Sequence, residues 1–209
     1  IITEKGRGYN HALDDRGKFH GPGKSPIETG ETPPAATPTY SAIYARSVTD
    51  FAKEDPKIVA ITAAMPGGTG LSVFKKEIPG RYFDVGIAEE HAALFACGLA
   101  TQGLKPFLTI YSTFMQRAYD MIIHDMAIQS LPVRLCMDRG GLSGDDGPTH
   151  HGLFDIGYLR HIPHLVHMQP KDEDEFVDML WTMANYNDVP SAIRYPRGAG
   201  TGVKPKASP

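Results

Sequence analysis

Cysteine is nearly missing from this sequence: Cys97 and Cys136 are the only two in 209 residues. Two cannot build a secreted disulfide scaffold or a cysteine-based zinc site, so a reducing, cytosolic compartment is the default expectation. No apolar run approaches the roughly eighteen residues a membrane-spanning helix needs, so no membrane association is expected. An excess of one charge is missing too. Lys and Arg total 21 against 24 Asp and Glu, a net charge of -3, where a dedicated nucleic-acid binder is strongly basic on one face. The chain opens on Ile1 with no signal peptide, which reads as a piece of a longer protein. What remains is ordinary: 41% hydrophobic and 22% charged, a globular composition. The length suffices to bury a core without disulfides or metals.

Glycine and proline are unevenly spread. The first 40 residues hold six Gly and five Pro with no apolar period, so residues 1–39 read as an irregular linker arm. From Tyr40 on, a domain over 40–209 is expected. Tyr40, Ile43, Tyr44, Val48 and Phe51 recur at helical spacing up to Pro56,. Short β-branched or apolar runs at 57–63, 82–85, 107–111, 133–138, 165–169 and 191–195 read as strands. Helical stretches at 71–78, 88–102, 112–129 and 172–185 separate them. Apolar strands alternating with helices imply an α/β fold, a doubly wound, mainly parallel sheet with helices on both faces. Ligands in such sheets bind beyond the carboxyl ends of the strands.

Several familiar motifs are absent. Gly68-Thr69-Gly70 starts like a dinucleotide fingerprint, but Val73 stands where its last glycine belongs,. Asp145 spoils the nucleophile elbow that Gly141-Leu142-Ser143-Gly144 begins,. His161, His164 and His167 do not share a helical face across Pro163, so packing or surface histidines are the better reading, and no metal site is assigned.

Four loops carry chemistry. In DVGIAEEH (84–91), Glu89 and Glu90 open a helix directly after a strand. Dipole complementarity explains either carboxylate. Glu89, with apolar neighbours before it, is also placed to share a proton with a heterocycle nitrogen. In YSTFMQRAYD (111–120), Phe114 and Arg117 lie one helical turn apart, and periodicity alone favours core for the first and a surface charge for the second. The loop DRGGLSGDDGPTHHG (138–152) is long and polar, as functional loops are. Its Arg139, Asp146, His150 and His151 offer an anion clamp, an acceptor and proton-transfer groups. RYPRG (194–198) ends the last strand with two arginines, which suits either anion clamping or a solvated basic turn.

YFDVGIAEEHA, YSTFMQRAYD, the DRGG…DGPTHHG loop and RYPRG, in that order and with ITEKGRGY and FHGP in the arm, resemble the 1-deoxy-D-xylulose 5-phosphate synthase family of transketolase-like enzymes. The resemblance covers essentially the whole chain and implies the central, pyrimidine-binding domain. It implies condensation of pyruvate with glyceraldehyde 3-phosphate, releasing carbon dioxide, for isoprenoid and thiamine biosynthesis. It implies thiamine diphosphate and Mg²⁺ as cofactors, a homodimer and a cytoplasmic location. Glu89 matches the glutamate that hydrogen-bonds the aminopyrimidine N1′, Phe114 the aromatic that stacks on it, and Met65 and Ile87 the apolar lining. Tyr111, Arg117, Arg139, Asp146 and Arg197 match the substrate site, with Arg139 and Arg197 holding the aldehyde's phosphate. His150, and His20 from the arm, match histidines at the reacting centre. The Gly-Asp-Gly and Asn ligands for Mg²⁺ belong to the family's first domain, and the tail stops before its third, so this piece alone is expected to be half a site and inactive. Glu90 and His151 stand where many relatives carry Gln. Two alternatives stay open: another transketolase-like enzyme, or a non-catalytic assembly module of the same fold. An upstream metal motif separates the enzyme from the module.

Overall fold

A computed structural model describes residues 1–21, 23–32 and 36–204. Pro22 of FHGP, Pro33 and Pro34 of the arm, and the tail from residue 205 lie outside the described residues. The chain divides into two compact units, Ile1–Ala36 and Thr37–Pro209. The first is less irregular than its composition implies. Helix α1 (Asn10–Asp14) and a 3₁₀ turn at Lys18–His20 bring Tyr9 and Phe19 edge to face at 5.4 Å. The Tyr9 hydroxyl donates to the Ile27 carbonyl at 2.8 Å.

The second unit begins at helix α2 (Tyr40–Glu54), whose first turn is capped by Thr39 Oγ1 accepting from the Ala42 amide,. It stops two residues before Pro56, which cannot continue a helix,. Strand β1 (Ile58–Thr62), helix α3 (Ser72–Glu77) and strand β2 (Tyr82–Asp84) follow. Next come helix α4 (Glu89–Thr101) and strand β3 (Lys105–Tyr111). The expected long helix over 112–129 is broken. α5 (Ser112–Met115) gives way to a 3₁₀ turn at Gln116–Ala118, then α6 (Tyr119–Met121), then a π-helical turn at Ile122–Ala127. Such changes of hydrogen-bond spacing within a helical run are common near functional sites. Strand β4 (Arg134–Asp138), helix α7 (Asp155–Leu159), strand β5 (Val166–Met168), helix α8 (Glu173–Asn185) and strand β6 (Ser191–Arg194) complete the unit. α7 was not foreseen: five residues are too few to show a period.

All five strand pairings are parallel, and the sheet order is β2-β1-β3-β4-β6-β5. The strands are apolar on both faces because both are covered. Leu108, Ile110, Leu135 and Met137 pack with α4 and the broken helix, whereas Phe107, Cys136 and Ile193 pack with α2, α3 and α8. β1 has β2 on one side and β3 on the other, so the strand order reverses between β1 and β3, with α3 and α4 on opposite faces. A crevice is expected at the carboxyl ends of those two strands. Among the described residues no helix is long and apolar enough to cross a membrane.

Candidate active site

The loops beyond β1, β2, β3, β4 and β6 supply the site. Glu89 is the first residue of α4 and only 3% exposed, so the helix dipole and a desolvated environment act on it together. Arg117 Nη1 donates to Glu89 Oε1 at 2.5 Å. That pairing makes Arg117 a partner of the buried carboxylate and not merely a surface charge, although half its side chain faces solvent. The Arg117 guanidinium lies 4.9 Å from the Phe114 ring centroid. Phe114 stacks on Tyr111 at 5.7 Å and 11°, and the His150 ring meets Phe114 edge-on at 5.3 Å. On from Tyr111, the Arg139 guanidinium sits 4.0 Å over its ring. Arg139 Nε and Arg197 Nε share Asp146 Oδ2, at 3.4 and 2.9 Å. The result is one continuous row: Glu89, Arg117, Phe114, Tyr111, Arg139, Asp146, Arg197.

Arg139 is the most constrained member. Its φ of 61° puts a non-glycine residue in the left-handed region, which persists only where the surroundings enforce it. Asp138 Oδ1 accepts from the Arg139 amide at 2.7 Å and lies 2.9 Å from Nη1. Nη1 also donates to the Gly68 carbonyl at 2.6 Å. Ser41 on α2 donates to Asp138 Oδ2 at 2.6 Å. Burial raises the Asp138 carboxyl above the ordinary range, with the Arg139 charge and the Ser41 hydrogen bond opposing it. Burial works most strongly against the Arg139 charge, but Asp138, together with Tyr111 and Asp146, offsets this and holds the guanidinium above its usual value. Burial pushes the Tyr111 hydroxyl up to about 12. A cleft of about 520 Å³ opens here, lined by Ser41, Ala42, Gly68, Arg139 and Arg197 among others.

The remaining candidates are less tightly placed. Met65 is half-buried in the loop after β1, and Ile87 is 81% exposed before α4. His20 belongs to the first unit, where it is exposed. Glu90 is exposed, and His151 Nδ1 accepts from the Ser143 amide at 3.0 Å. Arg194 is neither an anion clamp nor part of a solvated turn: it is buried against Asp155, its strand position hiding what its charge suggested. Sequence reasoning missed Ser41 and Asp138. Asp138 carried a signal, a carboxylate closing an apolar parallel strand, whereas Ser41 in a helical first turn carried none. Among the described residues no group of three or more His, Cys, Asp or Glu could hold a metal ion.

The sequence profile of the transketolase pyrimidine-binding domain matches residues 36–201. The chain is 62% identical over 208 residues to a 1-deoxy-D-xylulose-5-phosphate synthase of Acidobacterium capsulatum, and 58% identical over 209 residues to one of Methylacidiphilum infernorum. Each alignment covers 100% of this chain and 33% of the relative, so the chain spans about a third of the length of the curated relatives it matches. Among solved structures, a split-gene transketolase described as an inactive β4 tetramer superposes with a TM-score of 0.70 at 26% identity, over 81% of this chain and 55% of that one. A Pichia stipitis transketolase in complex with sedoheptulose 7-phosphate gives 0.68 at 18% identity, over 78% of this chain and 26% of that one. At that identity the likeness speaks for the fold alone.

Gly68 tests the row. A Cβ there would overlap the Tyr111 hydroxyl and lie 3.1 Å from Met65 Cε. Gly68→Ala should displace Tyr111, change the near-ultraviolet tyrosine dichroism and lower urea-unfolding stability by about 1–3 kcal/mol. Gly67→Ala, where a Cβ meets nothing within 4 Å, should alter neither reading.

Proposed function

Because the chain belongs to the transketolase pyrimidine-binding domain family, we propose that it is the central domain of an enzyme condensing pyruvate with glyceraldehyde 3-phosphate to 1-deoxy-D-xylulose 5-phosphate and carbon dioxide. The observation that carries the reading is the buried carboxylate of Glu89, held by Arg117 beside the Phe114 ring. A carboxylate buried at a helix start, linked through Arg117 to an aromatic ring, fits an aminopyrimidine: one group to share a proton, one surface to stack on. Glu89 would hold the N1′ proton, Phe114 would stack, and Met65 and Ile87 would line the ring. Bound thiamine diphosphate supplies the electron sink that such a condensation needs. Its diphosphate and Mg²⁺ would be held by the first domain of the same polypeptide, so this piece alone would be inactive.

The substrate roles follow from charge. Arg139 and Arg197 flank one cleft and would clamp the aldehyde's phosphate, with Asp146 pairing with both guanidiniums until an anion displaces it,. Tyr111 and Arg117 would complete the substrate site. His150 would move protons at the reacting centre. The whole polypeptide would be a cytoplasmic homodimer serving isoprenoid and thiamine precursor synthesis, with no nucleic-acid or membrane partner.

Three variants of the full polypeptide test these roles. Glu89→Ala should lower turnover by a factor of about 10² to 10⁴, while Glu90→Gln changes it little. Activity of Glu89→Ala within a few-fold of the parent removes Glu89 from the chemistry. Arg197 is the cleaner arginine to probe, since Asp146 is its one ion-pair partner among the described residues. Arg197→Ala should raise the glyceraldehyde 3-phosphate KM about ten- to a hundred-fold, and leave the pyruvate KM and the poor use of unphosphorylated glyceraldehyde unchanged. Equal damage to all three substrates would make this arginine structural.

A further inference from the structure

A glycine-rich loop has many conformations to lose, so the 139–152 segment needs an anchor to hold Asp146 and His150 in place. Its two ends meet in backbone. Gly141 N donates to Gly152 O and Gly152 N to Gly141 O, each at 2.8 Å, and Gly140 N donates to Tyr195 O at 2.8 Å. At Gly152 this closure demands glycine, since a Cβ would overlap the Arg139 carbonyl and lie 2.5 Å from Ser112 Oγ, and one on Gly140 would press lightly on Arg194 at 3.3 Å.

Arg194 spans that base from beneath. Its Nη2 donates to the Gly152 carbonyl at 3.0 Å, its Nε to Asp155 Oδ2 at 2.8 Å, and its Nη1 to the Gln169 side-chain carbonyl. Its side chain is 9% exposed and that of Asp155 0%. Neither lines the arginine cleft. We infer that Arg194 and Asp155 form a buried pin that sets the pose of the 139–152 loop, acting on the site as positioning residues without touching substrate. Three acceptors from three segments are met at once by one planar guanidinium fork, and a lysine ammonium cannot repeat that geometry. Asp155 at the start of α7 fixes the fork, and its Oδ1 accepts from the Ile156 amide at 2.9 Å. Loosening the pin frees Asp146 from the two arginines and His150 from Phe114, while the sheet keeps its apolar faces.

The test uses Arg194→Lys and, as a milder change of the same volume, Asp155→Asn, in the full polypeptide containing this chain. Hydrogen exchange is read on peptides covering 139–152 and, for comparison, on β1 and β3. The pin predicts exchange across 139–152 faster by about ten-fold or more for Arg194→Lys, and by less for Asp155→Asn, with β1 and β3 unchanged. Parental exchange in the loop, or equal acceleration throughout the sheet, overturns it. The kinetic arm rests on the proposed function: the aldehyde KM should rise about ten-fold with the pyruvate KM steady. A change in kcat and both KM values together, at parental loop exchange, marks Arg194 as merely structural. If the parent polypeptide does not turn over these substrates, the functional reading fails and the exchange result still decides the pin.

Discussion

Parallel pairing obliges every strand to end at the same edge of the sheet, and the rest of this structure depends on that. Glu89, Phe114, Arg139 and Arg197 are separated by up to 108 positions in sequence, yet each follows a different strand of one parallel sheet. The reversal of strand order between β1 and β3 opens the edge at one point. There Gly68 from the β1 loop faces Tyr111 at the end of β3 closely enough to exclude a side chain. The absence of that side chain is what lets Tyr111 lie flat between Phe114 and Arg139.

The charges are arranged around this geometry. Each charge along the row has an opposite partner, and the buried carboxylates in and around it are paired: Glu89 with Arg117, Asp138 with Arg139, Asp155 with Arg194. Such pairs contribute little net stability once desolvation is counted. Their effect here is positional. Asp138 holds Arg139 in a left-handed backbone conformation, and Arg194 grips the far end of the same loop. A loop rich in glycine thus presents Asp146 and His150 from two fixed ends.

The architecture was legible from the sequence because apolar runs and helical periods are local. The six strands and the helices at 40–54, 72–77, 89–101 and 173–185 lie within a few residues of their expected limits. Local signals also explain the misses. The period over 112–129 cannot distinguish α from π hydrogen bonding, and α7 is too short to show a period at all. Within the site, motif residues such as Glu89 and Arg139 stood out by type and position. The buried pairing residues did not: Arg117 resembled a surface charge, Arg194 an anion clamp or a solvated turn, and Ser41 an ordinary helical serine. Pairings of this kind are made across the fold, between residues 28, 39 and 97 positions apart, and no local pattern encodes them.

The central claim is that this chain is the pyrimidine-binding part of a synthase joining pyruvate to a phosphorylated aldehyde. Carbon dioxide release from labelled pyruvate by the full polypeptide measures it most directly. The account predicts release that requires thiamine diphosphate, Mg²⁺ and glyceraldehyde 3-phosphate together, with one 1-deoxy-D-xylulose 5-phosphate formed for each carbon dioxide. Release with no such sugar phosphate formed, or none under any combination of these additions, would contradict it.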